Sequence, residues 1–131
     1  MIIDTSAIVA ILKREPEEMA FAQLLESTPH VKISAATYFE TCVVIDSLRQ
    51  PTMSRALDDL FDRAQIAIEP VTGEQARIAR QAYRDYGRGS GHPANLNFGD
   101  CFSYALARSM REPILFKGAD FLHTDLRPAT A

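Results

Sequence analysis

The sequence predicts a single α/β domain, residues 1–131, with a small central parallel sheet of four or five strands flanked by helices. Two observations lead to this prediction. Short apolar runs, each about as long as a buried strand, alternate with longer segments of helical periodicity, and that alternation is typical of a parallel sheet. The length suits one domain, and a hydrophobic fraction of 47% is enough for a core.

The first strand is predicted at residues 1–3, where Met1-Ile2-Ile3 forms a short apolar run that ends at Asp4. A short buried helix follows from Thr5 to Leu12. Thr5 or Ser6 is the expected cap of this helix, because hydroxyl side chains accept hydrogen bonds from free helix amides. Asp4 therefore stands between a strand end and a helix start.

Residues 16–64 predict three helices and one strand. Pro16 suits the first turn of the second helix, Phe21 and Leu25 belong to its apolar stripe, and Pro29 ends it. Residues 31–34 form the second strand, and residues 35–49 a largely apolar third helix. After the break at Pro51 comes a fourth helix, in which four residues share one apolar face: Leu57, Leu60, Phe61 and Ala64.

The second half of the chain repeats the alternation. Residues 66–71 predict the third strand. The sequence from Thr72 to Gln75 has the form of a capping box and predicts a helix from about Gly73 to Tyr86, with Ala76, Ala79, Tyr83 and Tyr86 on one face. Residues 88–95 predict a flexible loop. A helix entered through residues 97–100, a fourth strand at 113–116, a turn and a frayed polar tail complete the chain.

Charge and composition exclude several classes of protein. The net charge of −3 argues against the broad basic face of a sequence-independent nucleic-acid binder. Cys42 and Cys101 have neither zinc-site spacing nor a disulfide framework, which predicts reduced thiols in the core. No secretory leader and no apolar run of about 18 residues is present, so we predict a cytoplasmic protein that does not interact with membranes.

Four acidic residues from distant parts of the chain are predicted to meet at one edge of the sheet. Asp4 ends the first strand, Glu40 lies early in the helix after the second strand, Asp100 begins the helix before the last strand, and Asp120 follows that strand. The carboxyl ends of parallel strands share one edge, where α/β proteins place their chemistry. These four are the candidate catalytic residues.

A divalent cation would explain such a cluster. Carboxylates gathered together raise one another's pKa unless a cation is present. Mg²⁺ prefers oxygen ligands and binds one or two carboxylates together with substrate phosphate. Such a metal can activate water and stabilise the attacking and leaving oxygens of a phosphodiester, and the pattern therefore favours a nuclease.

Other titratable groups fit this site less well. Asp46 lies about 120° around the helix from Glu40, at about 100° per residue, and is expected to be solvated or paired with Arg49. Asp125 is expected to be a tail residue. His123 lies near Asp120 and Asp125, but no second histidine stands four positions away, so a zinc site is not predicted, and His30 and His92 are expected at the surface.

The chain resembles the PIN-domain ribonucleases, and among them the VapC-type toxins of bacterial toxin–antitoxin pairs. The resemblance covers essentially the whole chain and rests on four segments: Asp4-Thr5-Ser6-Ala7, Glu40 on the third helix, Asn97-Phe98-Gly99-Asp100-Cys101 and Lys117-Gly118-Ala119-Asp120-Phe121. It implies a three-layer PIN-like fold and endonucleolytic cleavage of RNA that requires Mg²⁺, or Mn²⁺ in its place, and leaves a 5′-phosphate and a 3′-hydroxyl.

The resemblance also implies site residues and partners. By position, Asp4, Glu40 and Asp100 match the metal-binding carboxylates, and Thr5 or Ser6 matches a hydroxyl that supports the first aspartate. Asp120 is less secure, because Lys117-Gly118-Ala119 separate it from the last strand, and it is expected as a ligand, a supporting residue or a substrate contact. The implied partners are an RNA substrate, a cognate VapB-type antitoxin that enters the active-site groove, and a second toxin copy, giving a homodimer and a heterotetramer or larger complex with antitoxin.

Alternative functions are tested by the same residues. A receiver-type phosphoacceptor site would use Asp4, Asp100 and Lys117, but that class has paired acids after its first strand and this chain has one. A haloacid-dehalogenase-type phosphatase is excluded because Ser6 occupies the position of its second aspartate. A PIN scaffold that only binds antitoxin or nucleic acid remains the alternative. In the nuclease, Arg84, Arg88 and His92 of the loop segment are candidate contacts to the RNA backbone.

Overall fold

The structure, a computed structural model, describes residues 1–130. Four short strands alternate with six α-helices, and a 3₁₀ helix follows the last strand. The elements in chain order are β1 (Ile2–Ile3), α1 (Thr5–Leu12), α2 (Glu18–Ser27), β2 (Lys32–Ser34), α3 (Ala35–Asp46), α4 (Pro51–Ala64), β3 (Ala67–Glu69), α5 (Gly73–Tyr86), α6 (Phe98–Met110), β4 (Ile114–Leu115) and the 3₁₀ helix Asp120–His123.

The four strands form one parallel sheet in the order β3-β2-β1-β4, which confirms the predicted architecture. Ile2 pairs with Ile114 on one side of β1 and with Lys32 on the other. The chain builds β1, β2 and β3 outward in one direction and then returns to place β4 on the opposite side of β1. The order of strands reverses between β1 and β4, and such reversals open a crevice at the carboxyl ends of the strands.

Two hydrophobic cores lie on the two faces of the sheet. Ile3, Ile33 and Leu115 pack with α1 to α4, whereas Ile2, Ile114 and Phe116 pack with α5, α6 and the 3₁₀ helix. Neighbouring residues of one strand enter different cores because successive side chains of a strand point to opposite faces. The sheet is therefore covered on both sides, as the three-layer prediction requires.

Several helix ends differ from the predictions. Asp4, not Thr5 or Ser6, caps α1, since its side chain accepts a hydrogen bond from the Ser6 amide. Helix α2 begins at Glu18, two residues after Pro16. Helix α3 ends at Asp46, whose carboxylate accepts a hydrogen bond from Ser54 at 2.7 Å and has no ion pair with Arg49.

The buried faces of two helices were only partly predicted. On α5 the face that packs inward carries Ala79 and Tyr86 as predicted, but Ala76 and Tyr83 are exposed, and the missed members are Gln75, Ile78 and Ala82. On α3 the apolar Phe39 and Val43 are exposed. The fully buried residues of α3 are Thr37, Thr41 and Ile45, so threonines take the inward positions of an otherwise apolar helix.

The segment after β4 is attached to the sheet, which corrects the prediction of a frayed tail. The Ile114 amide donates to Arg127 O at 3.0 Å, and the Ala129 amide donates to Ile114 O at 2.8 Å. The tail thus covers the outer edge of β4. The part of the prediction that concerns Ala131 lies outside the described residues.

The loop between α5 and α6 is closed by hydrogen bonds at its base. The Arg88 amide donates to Leu96 O at 3.0 Å, and the Leu96 amide donates to Tyr86 O at 2.9 Å. His92 packs edge-on against the Tyr86 ring, with ring centroids 4.9 Å apart. Backbone hydrogen bonds therefore hold the two ends of the loop of residues 88–95, for which flexibility was predicted, next to each other.

Two further predictions concern cysteines and membranes. Cys42 and Cys101 are both free thiols, the first half-buried and the second buried. Within residues 1–130, no helix combines the length and the apolar character that a bilayer crossing needs.

Candidate active site

The structure brings three of the four predicted acids to one cavity at the carboxyl edge of the sheet. Asp4 follows β1, Glu40 lies in the second turn of α3 after β2, and Asp100 lies in the first turn of α6. All three line a cavity of about 430 Å³, together with Asn97, Lys117, Glu15 and residues of α1. The cavity opens beside β1 and β4, where the strand order reverses.

Asp4 is buried and held by three hydrogen bonds. Its Oδ2 accepts from the Ser6 amide at 3.1 Å and from Ser6 Oγ at 2.7 Å, and its Oδ1 accepts from Ser103 Oγ at 2.5 Å. A buried carboxylate needs such partners to remain stable. The orientation of Asp4 is therefore fixed by the protein before any ligand arrives.

Glu40 is half-buried and approaches the backbone of α6. Its Oε1 accepts a hydrogen bond from Thr5 Oγ1 at 2.9 Å. A methyl group built on Gly99 would lie 2.2 Å from Glu40 Oε2, so the carboxylate occupies the space that any side chain at this position would take. Burial raises the pKa of Glu40, the Thr5 hydrogen bond lowers it, and the charge of Asp4 raises it, with a net increase.

Asp100 serves both the site and its own helix. Its Oδ2 accepts from the Asn97 amide at 3.0 Å, and the Asp100 amide donates to Asn97 Oδ1 at 2.8 Å, which completes a capping box. The pKa of Asp100 is raised to about 6, mainly by burial, while the Asn97 amide lowers it. The charges of Asp4, Asp120 and Glu40 contribute to this increase, so the other three acids act on Asp100 electrostatically.

Asp120 stands apart from the other three acids. It begins the 3₁₀ helix, is exposed, and does not line the cavity that Asp4, Glu40 and Asp100 share. Its charge nevertheless contributes to the raised pKa of Asp100. Its position favours a supporting or substrate-side role over that of a metal ligand.

A layer of buried hydroxyl groups behind the acids was not predicted. Ser103 Oγ, which donates to Asp4, lies 3.2 Å from Thr37 Oγ1. Thr41 Oγ1 lies 2.8 Å from Thr37 O and 2.9 Å from Thr5 Oγ1, so its one hydrogen can be donated to either oxygen. The sequence does contain a signal for this layer, because Thr37 and Thr41 stand four residues apart in an apolar helix.

A single cation, Lys117, is found among the described residues that line the cavity. Its amide donates to Ser6 Oγ at 3.0 Å, and its ammonium pairs with Glu15 and, at 3.1 Å, with Glu17. Its position does not suit a receiver-type site, because the ammonium pairs with these glutamates and has no ion pair with Asp4 or Asp100.

A second cavity adjoins the first and shares Glu40 and Asn97 with it. It is also lined by Tyr83, Arg88 and Phe98. Of the three predicted RNA contacts in the loop segment, the structure thus brings Arg88 next to the acids. Arg84 is exposed on α5, and His92 packs on Tyr86.

The remaining predicted alternatives occupy other places. Asp125 is not a free tail residue, since it accepts from Tyr104 Oη at 2.6 Å and pairs with Arg108 at 3.5 Å. His123 is exposed at the end of the 3₁₀ helix. Neither residue lines the acid cavity.

The donor set fits a hard divalent cation in its chemistry. Carboxylate oxygens are the ligands that Mg²⁺ prefers, and a bound cation would relieve the repulsion that contributes to the raised pKa of Asp100. As they stand in residues 1–130, no three His, Cys, Asp or Glu side chains already surround one point closely enough to hold an ion. A cation bound here would be held by these carboxylates directly or through water.

Comparison with known proteins gives a consistent result. A family model described as PIN domain matches residues 1–126. The chain is 57% identical over 129 residues to ribonuclease VapC28 of Mycobacterium tuberculosis, covering 98% of this chain and 97% of that protein. It is 53% identical over 129 residues to ribonuclease VapC42 of the same species, covering 98% of each.

Solved structures share the fold. The chain superposes on Mycobacterium tuberculosis VapC20, described as a sarcin-ricin loop cleaving toxin, with a TM-score of 0.73, 19% identity and 95% coverage of both chains. It also superposes on a chain of a toxin–antitoxin complex from Klebsiella pneumoniae with a TM-score of 0.65 and 20% identity, covering 92% of this chain and 88% of that one.

Proposed function

The chain belongs to the PIN-domain family and is an endoribonuclease toxin of the VapC type; we propose that its cleavage of RNA depends on a divalent metal bound by Asp4, Glu40 and Asp100. The observation that carries the proposal is the convergence of these three carboxylates on one cavity at the strand ends. Mg²⁺, or Mn²⁺ in its place, would supply an activated water and neutralise negative charge on the phosphate.

The protein residues divide the work of binding and orientation. Asp4 offers a carboxylate whose position is set by Ser6 and Ser103. Asp100 uses Oδ2 in the capping box and keeps Oδ1 for a ligand. Glu40 reaches the cavity from α3 and has Thr5 as its hydrogen-bond donor.

We propose that a VapB-type antitoxin controls this site. The acid cavity carries four carboxylates, those of Asp4, Glu15, Glu40 and Asp100, against the single cation Lys117. A basic segment of a partner would complement this charge and block access to the acids. Adding the purified antitoxin should stop RNA cleavage, and an antitoxin whose basic residues are replaced should still bind the toxin but inhibit it less.

We further propose that the toxin forms a homodimer through apolar residues next to the acids. Phe39 and Val43 flank Glu40 on α3 and are 69% and 50% exposed, while Phe98, two residues before Asp100, is 78% exposed. Large apolar side chains gathered at a surface indicate an interaction site. Sedimentation equilibrium should show a dimer that Val43→Glu converts to a monomer; a monomeric wild-type toxin would contradict this proposal.

The alternative is a PIN scaffold that binds RNA or antitoxin without cutting. The deciding experiment is cleavage of total cellular RNA by purified, antitoxin-free toxin with Mg²⁺, with Mn²⁺ or with EDTA. Asp4→Asn and Asp100→Asn should abolish metal-dependent cleavage. Asp46→Asn is the matched control, because it is the same substitution at an aspartate that contacts Ser54 outside the cavity.

Each outcome of that experiment has one meaning. Discrete cleavage that needs metal and both aspartates supports the nuclease and its ligands. Intact RNA after incubation with a folded, metal-loaded wild type would favour the binding scaffold. Cleavage that persists in both variants would remove Asp4 and Asp100 from the site.

Asp100→Asn should be at least as stable as the wild type, since a buried acid whose pKa is raised destabilises the fold at neutral pH.

A further inference from the structure

Lys117 is a cation in a cavity that is otherwise acidic. It lies two residues after the end of β4, at the same edge of the sheet as Asp4. Among the described residues that line this cavity, the other charged groups are the carboxylates of Asp4, Glu15, Glu40 and Asp100. RNA phosphates carry negative charge, so a nuclease that cuts RNA here needs cationic groups to offset these acids. Lys117 lies in the acid cavity itself, whereas Arg88 lines the adjoining one.

The backbone of Lys117 is fixed with respect to Asp4. The Asp4 amide donates to Leu115 O at 3.0 Å, and the Lys117 amide donates to Ser6 Oγ at 3.0 Å. Ser6 Oγ in turn donates to Asp4 Oδ2 at 2.7 Å. Ser6 therefore connects the backbone of Lys117 to the carboxylate of Asp4, the proposed metal ligand.

The ammonium group of Lys117 is bound to two carboxylates that a phosphate can replace. Glu15 and Glu17 lie in the connection between α1 and α2, and both pair with Nζ. The lysine side chain is 36% exposed, and ion pairs this accessible to water add little to stability. Exchanging the Glu15 oxygen for a phosphate oxygen therefore carries a small cost, whereas leaving the buried Glu17 Oε2 costs more.

We propose that Lys117 is a substrate-positioning residue that leaves Glu15 and Glu17 to bind a backbone phosphate of the RNA next to the bond that is cut. The proposal rests on the nuclease function above. Glu15 and Glu17 then act as competitors of the RNA, holding the lysine in the free enzyme. In the opposing explanation, Lys117 only fastens the α1–α2 connection to the end of β4.

Equilibrium binding separates the two explanations without relying on cleavage. The probe is a fluorescein-labelled single-stranded RNA of 20 nucleotides and mixed sequence, titrated with toxin that carries Asp100→Asn, in Mg²⁺ and at several salt concentrations. Lys117→Met should weaken binding roughly tenfold, as expected for loss of a hydrogen bond between charged groups. It should also reduce the slope of log affinity against log salt by about 0.7, the value for one phosphate contact in a single strand.

Three matched variants sharpen the result. Lys117→Arg keeps a cation and should retain most of the affinity. Lys13→Met removes an exposed lysine at the end of α1, outside the cavity. Unlike Lys117→Met, it should leave the RNA affinity and the salt slope close to those of the unsubstituted toxin. Glu15→Gln with Glu17→Gln should tighten RNA binding, because the competing carboxylates are gone. In cleavage assays with toxin that retains Asp100, Lys117→Met should raise KM more than it lowers kcat.

The opposing outcome is equally definite. If Lys117→Met and the double glutamine variant both unfold at lower temperature while RNA affinity and salt slope equal those of Lys13→Met, the lysine is a structural link and the proposal is wrong. If Lys117→Met does not fold, Lys117→Gln in the Glu15→Gln, Glu17→Gln background decides, because the ion pairs are already absent there and only a phosphate contact predicts a further loss of affinity and a smaller salt slope. A wild type that binds RNA through Lys117 but never cuts it would overturn the nuclease function alone.

Discussion

Ser103 connects the fold to the site at the scale of one hydroxyl group. It donates to Asp4 and contacts the Thr37 hydroxyl, and all three residues are buried. Ser103 therefore orients the carboxylate that we propose as a metal ligand, and loss of such a supporting group typically weakens metal binding. The sequence did not reveal Ser103, because a serine three positions after Asp100 has no periodicity or charge that distinguishes it from a core-filling residue.

We predict that Ser103→Ala weakens binding of Mn²⁺ and RNA cleavage by about 10- to 100-fold, as is usual when a group supporting a metal ligand is lost. The free energy of unfolding should also fall by about 1–3 kcal/mol, because Asp4 and Thr37 each lose a buried partner. Calorimetric titration with Mn²⁺ measures the first effect and denaturant unfolding the second. Ser109→Ala is the control: Ser109 lies on the same helix and donates only to Leu106 O.

Gly99 is required by the site and not by the helix. Its neighbour across the cavity is the Glu40 carboxylate, which lies where a Cβ atom would be. We predict that Gly99→Ala displaces this flexible carboxylate and slows RNA cleavage by about 100-fold, the cost of moving a catalytic group by about 1 Å. Thermal unfolding should occur at the same or a higher temperature, since alanine favours a helix over glycine by about 0.5–1 kcal/mol.

Gly73→Ala provides the comparison for this prediction. Gly73 is also in the first turn of a helix, but the nearest atom to an added methyl group is Arg77 Nη1 at 3.6 Å, an ordinary contact. It should leave cleavage unchanged. Full activity in Gly99→Ala would mean that Glu40 can serve the reaction from a different position.

Single elements were predicted best where the sequence pattern and the fold impose the same requirement. Asp4, Glu40 and Asp100 were placed correctly because strand ends and the helices beside them share one edge in any parallel sheet. The inward face of α5 was predicted less well. Gln75 and Ala82 are buried there, and Tyr83 is exposed, because α6 decides which side of an alanine-containing helix is covered.

Glu112 joins three elements at the edge of the sheet opposite the acids. It accepts from the amino group of Met1 at 2.5 Å and from Lys32 Nζ at 2.7 Å, which links the end of α6 to the starts of β1 and β2. Burial alone would raise the pKa of Glu112, but the hydrogen bonds from Lys32 and from Met1 outweigh it and lower the pKa below the ordinary value of 4.5.

A lowered pKa in the folded protein means that this carboxylate stabilises the fold when it is ionised. We predict that Glu112→Gln lowers the free energy of unfolding at pH 7 by about 1–2 kcal/mol, a typical value for hydrogen bonds to a charged group. The difference from wild type should shrink as the pH falls below 4.5 and through the lowered pKa of Glu112. Denaturant unfolding across this range measures it, with the exposed Glu26→Gln as control, and an undiminished difference in acid would contradict the prediction.

At the scale of the whole molecule, the layered architecture was predicted from the sequence. The covering of the outer edge of the sheet, at β4, by the C-terminal segment was not. Alternating apolar runs and helical segments were sufficient for a parallel sheet between two layers of helices. The attachment of residues 127–129 to β4 was missed because it depends on backbone hydrogen bonds, which any residue except proline can donate and every residue can accept. The polar side chains of the tail gave no indication of it.

We predict that removing residues 127–131 destabilises the protein by about 1–3 kcal/mol, the range expected for two backbone hydrogen bonds to Ile114. The shortened protein should also associate at high concentration, because an uncovered strand edge pairs with other chains. Thermal unfolding and sedimentation velocity test the two effects. Removing only residues 130–131 should change neither; equal behaviour of the two truncations would show that the pairing with β4 carries no energy.

The hydrogen bonds between Tyr86, Arg88 and Leu96 have a consequence for how such proteins diversify. They fix both ends of the α5–α6 loop, whereas its tip is open: no atom lies within 4 Å of a Cβ built on Gly89 or Gly91, although the positive φ of both positions favours glycine. Insertions beside these glycines can therefore accumulate without moving Asn97 and Asp100 just beyond the fixed ends. Duplicated copies of this gene could thereby acquire new RNA preferences while each retains an intact cleavage apparatus.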